Sequence, residues 1–105
     1  MRVRVQWDPE ARLDAHRAAA WWKRNRRKAP GLFRRELEEA LALLRSAPEI
    51  GSPVEVEGVQ GARRVVLQRS QFLLYYVFDQ QAGRVEILAV VNAQREEPPR
   101  LRLVR

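Results

Sequence analysis

The sequence predicts one α+β domain: an N-terminal strand and an antiparallel helical hairpin, followed by a three-stranded antiparallel meander. Three observations carry this reading. Apolar residues recur at helical spacing over two stretches, residues 9–26 and 32–47, with Ala29-Pro30-Gly31 between them and Pro48 after them. Between residues 62 and 91 the apolar residues either alternate or run continuously, and short turn sequences separate them. The chain has 105 residues, 46% of them apolar, which suits one core in a single unit over residues 1–105.

The first element, Arg2-Val3-Arg4-Val5-Gln6, alternates and puts Val3 and Val5 on one face of a short strand. Asp8-Pro9-Glu10 then reads as a helix start. Asp8 caps, Pro9 fits the first turn, and Glu10 meets the positive end of the dipole. The helix runs from Pro9 to Arg26, with Ala11, Ala15, Ala18 and Trp22 on one face and Leu13, Ala20 and Trp21 widening it. The second helix runs from Leu32 to Ala47 and buries Phe33, Leu37, Ala40, Leu41 and Leu44. Residues 48–61, with two prolines and three glycines, form a loop with a short extended piece at Val54–Val56.

The meander begins at Ala62–Arg69, with Val65 and Leu67 on one face and Arg64, Val66 and Gln68 on the other. Ser70-Gln71 makes a tight turn into Gln71–Phe78, which is apolar enough to be covered on both faces. Asp79–Gly83 turns the chain into Arg84–Val91, where Val85, Ile87, Ala89 and Val91 share one face and Glu86, Leu88 and Val90 the other. If the helical hairpin covers one side of this sheet, the opposite face carries Arg64, Tyr75, Leu88 and Val90. That face is half apolar and basic, a composition that marks an interaction surface.

Composition excludes several chemistries. There is no cysteine, so there is no disulfide framework, cysteine-ligated metal or thiol nucleophile. The single histidine, His16, argues against a histidine metal site or a Ser-His-Asp triad, and its place among polar neighbours reads as an exposed helix position. No apolar run approaches the roughly 20 residues that span a bilayer, and the N-terminus lacks an apolar signal core, so the expectation is a soluble cytoplasmic domain. No cofactor is expected.

The net charge of +7 is unevenly spread. Residues 1–35 hold eleven bases and three acids, residues 36–62 one base and six acids, and residues 63–105 eight bases and four acids. All but Lys23 and Lys28 of the bases are arginines, whose planar fork suits carboxylate and phosphate. An acidic partner follows, either a nucleic acid or an acidic protein segment. The run Lys23–Lys28 sits at a helix C-terminus, where cations complement the dipole, so it reads either as a solvated helix end or as a DNA contact.

Individual residues divide between core and surface. Arg63 and Arg64 point oppositely, with Arg64 assigned to the partner face and Arg63 to solvent. Arg69 ends its strand and either solvates the turn or binds an acid. Tyr76 shares its face with Phe72, Leu74 and Phe78, which makes it core with its hydroxyl at an edge, and Tyr75 is the surface tyrosine. Trp21 and Trp22 cannot both face the core.

The order and spacing of several segments carry a family likeness: Phe33-Arg34-Arg35-Glu36-Leu37-Glu38-Glu39-Ala40-Leu41, Pro48-Glu49-Ile50-Gly51, Gly61-Ala62-Arg63-Arg64-Val65-Val66-Leu67, Phe72-Leu73-Leu74-Tyr75-Tyr76-Val77, Val85–Val91 and Arg95-Glu96-Glu97-Pro98. Together they resemble the RelE/ParE superfamily, the toxins of bacterial toxin–antitoxin pairs and plasmid stabilisation systems. The resemblance implies a cognate acidic antitoxin in a hetero-oligomer, covering a face that includes Arg64, Tyr75, Leu88, Val90 and Arg95. It also implies one of two activities. One branch cleaves ribosome-bound mRNA with basic side chains on the sheet and an acid–base group near the C-terminus. The other, ParE-like, poisons DNA gyrase. On the nuclease pattern, Leu73 stands where a strand arginine is expected, and Val65 and Leu67 where some members carry lysines. Residues 92–105, the basic tail, hold neither Tyr nor His, and Arg95 alone matches. The resemblance therefore favours the ParE-like branch. A nuclease would rest on Arg64, Arg69 and Arg95. A degenerate, non-toxic or nucleic-acid-binding member is the third reading, since Val91-Asn92-Ala93-Gln94-Arg95 also lacks the His or Trp frequent in ParE-like members.

Overall fold

The structure is a computed structural model, and it describes residues 3–94. The elements are β1 (Arg4–Trp7), α1 (Pro9–Asn25), α2 (Leu32–Ser46), β2 (Ser52–Pro53), β3 (Ala62–Leu67), β4 (Phe72–Asp79) and β5 (Arg84–Asn92). They build the α+β architecture that the sequence predicts: two helices on one face of a five-stranded sheet of order β1-β5-β4-β3-β2. The meander β3–β4–β5 is antiparallel throughout. β1 joins its far edge parallel to β5, with Arg4 opposite Arg84 and Trp7 opposite Ile87.

The first helix starts and stops for local reasons. The Asp8 carboxylate accepts a 2.9 Å hydrogen bond from the Glu10 amide, a cap that contributes about 1 kcal/mol. α1 ends where Trp22, buried against the sheet, donates its indole N–H to the Ala29 carbonyl at 2.8 Å and fixes the turn into α2. Of the tryptophan pair, Trp22 is thus the core residue, and Trp21 stays half-buried beneath the Arg26 guanidinium at 5.2 Å. α2 buries Leu32, Phe33, Leu37, Ala40 and Leu44. The core between helices and sheet centres on Tyr76, Phe33, Leu44, Leu74, Ile87 and Val85. Phe72 closes one end of it, 4.8 Å from Phe33 and 6.5 Å from Trp22 between ring centroids.

Two segments depart from expectation. The extended piece expected at Val54–Val56 is instead the edge strand β2, Ser52–Pro53, paired to Arg63 and Arg64. Proline has no N–H to donate, so it is tolerated at a sheet edge. Val54, Val56 and Val59 fold over the sheet instead, in a small loop closed by a Val56–Val59 bridge. The second departure is a β-bulge. Tyr75 pairs with Ala89 and Tyr76 with Ile87, which leaves Leu88 as the extra residue. Strict alternation along β5 is therefore broken, and every residue after Leu88 points to the face opposite the one predicted.

The loop between α2 and β3 is pinned at Gly51. Its amide donates 2.9 Å to the Tyr76 hydroxyl, and its carbonyl accepts 2.7 Å from Arg63, whose guanidinium also reaches the Glu49 carbonyl at 2.9 Å. A Cβ here would lie 2.7 Å from the Tyr76 hydroxyl and 3.0 Å from the Arg64 carbonyl, so only glycine fits. Among the described residues no helix is long and apolar enough to cross a membrane.

Candidate partner-binding face

The face of the sheet away from the helices is set by register. β3 contributes Arg64 and Val66, β4 contributes Leu73, Tyr75 and Val77, and β5 contributes Glu86, Ala89 and Val91, with Leu88 joining them through the bulge. Val66 lies opposite Leu73, and Leu73 opposite Val91, so three strands share an apolar strip. Val66 is 37% exposed, and Leu73 and Val91 are half-buried.

The predicted site residues separate on this geometry. Arg64 and Tyr75 are cross-strand neighbours on the outer face, as the alternation requires. Tyr75 is not the surface residue expected, however. It is 3% exposed and forms a second small core with Leu88 and Ala89 under the valines of the 54–59 loop. Leu88 lies on the outer face as predicted but is equally buried. Val90 is a correction. The bulge turns it inward opposite Leu74, and it packs in the helix-covered core. Arg69 is exposed in the β3–β4 turn, five residues after Arg64. Arg63 is held by the Gly51 loop rather than left to solvent. Arg95 lies outside the described residues.

Three features escaped the sequence reading. The first is Glu36, which sits on α2 one turn before Ala40. Its carboxylate accepts 2.7 Å from the Arg69 amide and 2.8 Å from the Ser70 amide, tying the helix to the β3–β4 turn. An acid among Phe33, Leu37 and Ala40 was the available signal. The turn also holds Gln71 at φ 63°, the left-handed region, with its amide donating 2.8 Å to the Leu67 carbonyl. The second is the cover that Val54, Val56 and Val59 give the outer face. The third is a shallow groove between α1 and α2. Ala15, Ala19, Phe33, Leu37 and Leu41 form its floor, with Trp7, Arg12, His16, Arg34 and Glu38 around it. The small alanines of α1 leave that space. His16 is exposed at the rim.

Burial pushes the Tyr76 phenol above the usual tyrosine range, against the smaller pulls of the Gly51 hydrogen bond and the Arg63 charge. Among the described residues no group of His, Asp and Glu is placed to hold a metal ion.

Solved structures share this arrangement. The isolated RelE toxin of E. coli superposes with a TM-score of 0.64 at 20% identity, over 90% of this chain and 88% of that one. A chain of the intact E. coli RelBE toxin–antitoxin complex gives 0.64 at 19% identity, over 89% and 99% of the two chains. A chain of the chromosomal ParDE system of P. aeruginosa gives 0.67 at 18% identity, over 88% and 97%. At these identities the likeness is one of fold. Comparison with curated proteins finds no match. The sequence family described as the ParE toxin of the type II toxin–antitoxin system, parDE, matches residues 5–97. That match spans both helices and all of the sheet but the first residue of β1, and the chain belongs to the ParE toxin family of type II toxin–antitoxin systems.

Proposed function

We propose that this chain is a toxin of the ParE kind, which acts in the cytoplasm by binding and poisoning DNA gyrase and is neutralised by an acidic antitoxin. The observation that carries the reading is the apolar strip Val66–Leu73–Val91. Phosphodiester cleavage on the sheet needs cations where a phosphate would lie. Here Leu73 occupies the strand position at which the nuclease branch is expected to carry arginine. Val65 and Leu67, at the lysine positions, point to the helix-covered core. Arg64 stands mid-strand on β3 and Arg69 in the turn that follows it. An apolar strip flanked by arginine suits a protein partner instead.

The antitoxin is a segment of opposite charge with an apolar stripe, as a toxin of net charge +7 requires. The ParDE and RelBE neighbours are themselves chains of toxin–antitoxin complexes, which supports such a partner. The groove between α1 and α2 offers its apolar side chains a second seat.

Controlled expression in a bacterial host tests this, with DNA-damage response and bulk translation recorded together. The expected outcome is growth arrest with filamentation and DNA breaks while translation continues. An immediate translation stop with cleaved mRNA would assign the chain to the nuclease branch. No growth effect at confirmed expression would identify a degenerate member.

A further inference from the structure

The tip of the helical hairpin is a basic surface that the reading above does not use. From residue 15 through residue 35 the sequence has eight bases and no acid. Lys23, Arg24, Arg27, Lys28, Arg34 and Arg35 are all exposed. No ion pair among the described residues engages them; the pairs Arg63–Glu49 and Arg84–Asp79 lie elsewhere.

The fold places this tip at one end of the sheet. Trp22 and Phe33 meet Phe72 at the start of β4, and Glu36 holds the turn that carries the exposed Arg69. The opposite end is where the Val3 amide donates to the Arg45 carbonyl and the Arg4 amide to the Gly83 carbonyl, each at 3.0 Å. Hairpin tip and β3–β4 turn therefore present their cations together.

Local energetics account for only some of them. Lys23 and Arg24 suit the C-terminus of α1. Arg34 and Arg35 do not suit α2. They stand in its first turn, which contains no acid, against the positive end of the dipole. Cations packed against each other and against a dipole break a local rule, as functional surfaces do.

We propose that this tip binds the phosphodiester backbone of a nucleic acid, whichever enzyme the toxin poisons. The chemistry selects phosphate over an acidic protein. The exposed large apolar side chains, Leu13, Leu43, Ile50 and Val66, all lie outside residues 15–35, so beyond the α1–α2 groove a peptide finds little to anchor on at the tip. The tip offers mainly charge, with Trp21 half-buried beneath Arg26. Phosphates supply closely spaced charge without needing a pocket, and arginine binds them through its fork.

Fluorescence anisotropy of the full chain tests this with labelled probes of about 20 base pairs of duplex DNA and about 20 nucleotides of single-stranded RNA, titrated between about 50 and 200 mM salt. R24A/R27A/K28A is compared with R4A/R45A/R84A, which removes equal charge at the opposite end. Circular dichroism confirms that each variant is folded. The tip variant should weaken binding and lower the salt slope by about 2.7 on duplex or about 2.1 on single strands, three contacts' worth. The opposite-end variant should keep the wild-type slope. A larger effect on one probe names the source of the phosphate. Equal losses in both variants would reduce the effect to net charge and overturn the proposal. So would a tip variant that binds like wild type. Binding to a labelled poly-glutamate but to neither nucleic acid would give the tip to an acidic protein.

Discussion

Tyr76→Phe isolates one hydrogen bond that ties the α2–β3 loop to the sheet. The Tyr76 ring is fully buried, and its hydroxyl accepts from the Gly51 amide at 2.9 Å. Gly51 is itself buried. Removing the hydroxyl leaves a buried amide donor without an acceptor, which costs about 1–3 kcal/mol. Phenylalanine keeps the ring and its packing, so little is added for a cavity. For a domain near 100 residues, about 2 kcal/mol lowers the melting temperature by roughly 8 °C. The pH dependence gives a second signature. Burial holds the folded phenol above its ordinary value, so the folded chain keeps its proton longer than the unfolded chain does. The contribution is complete at neutral pH. It is lost as pH rises past about 10, where the unfolded phenol ionises first. Tyr76→Phe has no phenol to lose there, so its deficit against wild type should narrow in alkali. Thermal unfolding followed by circular dichroism, from neutral pH into alkali, measures both. An unchanged melting temperature at neutral pH would show that Gly51 does not depend on Tyr76. A deficit that stays constant into alkali would refute the burial argument.

Glu36→Ala should cost about 1–2 kcal/mol in urea unfolding, because two backbone amides lose a charged acceptor at a half-exposed site that water partly replaces. Glu36→Gln, which keeps one acceptor oxygen, should cost about half as much, and a wild-type midpoint for the alanine variant would show that water suffices. Val90→Ala should cost about 2–3 kcal/mol, from two methyl groups and the void they leave, whereas Val66→Ala should stay within about 0.5 kcal/mol. The opposite ranking would put Val90 on the outer face and remove the bulge.

Most of the fold was legible because local and long-range signals agree. Asp8-Pro9 starts α1 and Pro48 follows α2, where propensity says they should. Arg84–Asn92 was legible as a strand, but its facing was not. Val85 through Val91 alternate in a way that fits either face, and only the partner strand decides where one residue is skipped. The misplacement of Val90 followed directly. Tyr75 was misread for a different reason. Its facing was right, but no periodicity signals that a loop fifteen or more residues away would supply Val54, Val56 and Val59 to cover it. Glu36 was visible as an acid on a helix that otherwise buries its face. Its partners are backbone amides, which carry no residue identity for a sequence to show.

The division of charge between fold and surface follows from which cations the structure engages. Arg63 is tied to the Gly51 loop and Glu49, Arg84 to Asp79, Arg12 lies over Trp7 and Arg26 over the tryptophan pair. These are dispersed and each has a structural reason. The acids of the middle segment are used in the same way, with Glu36 holding a turn and Glu49 an arginine. Of the bases at the hairpin tip, Arg26 has such a role and Lys23 and Arg24 complement the end of α1, whereas Arg27, Lys28, Arg34 and Arg35 are exposed and engaged by no ion pair among the described residues. Arginines written into the surface indifferently, as solvated cations, would be interspersed with acids and would avoid the start of a helix. The tip does neither, since it holds eight bases over residues 15–35 without an acid and places two of them in the first turn of α2. At Arg34 and Arg35 the charge therefore opposes the helix that displays it, and the two faces divide the work. The apolar strip on the sheet suits a protein, and the hairpin tip suits a polyanion held beside it.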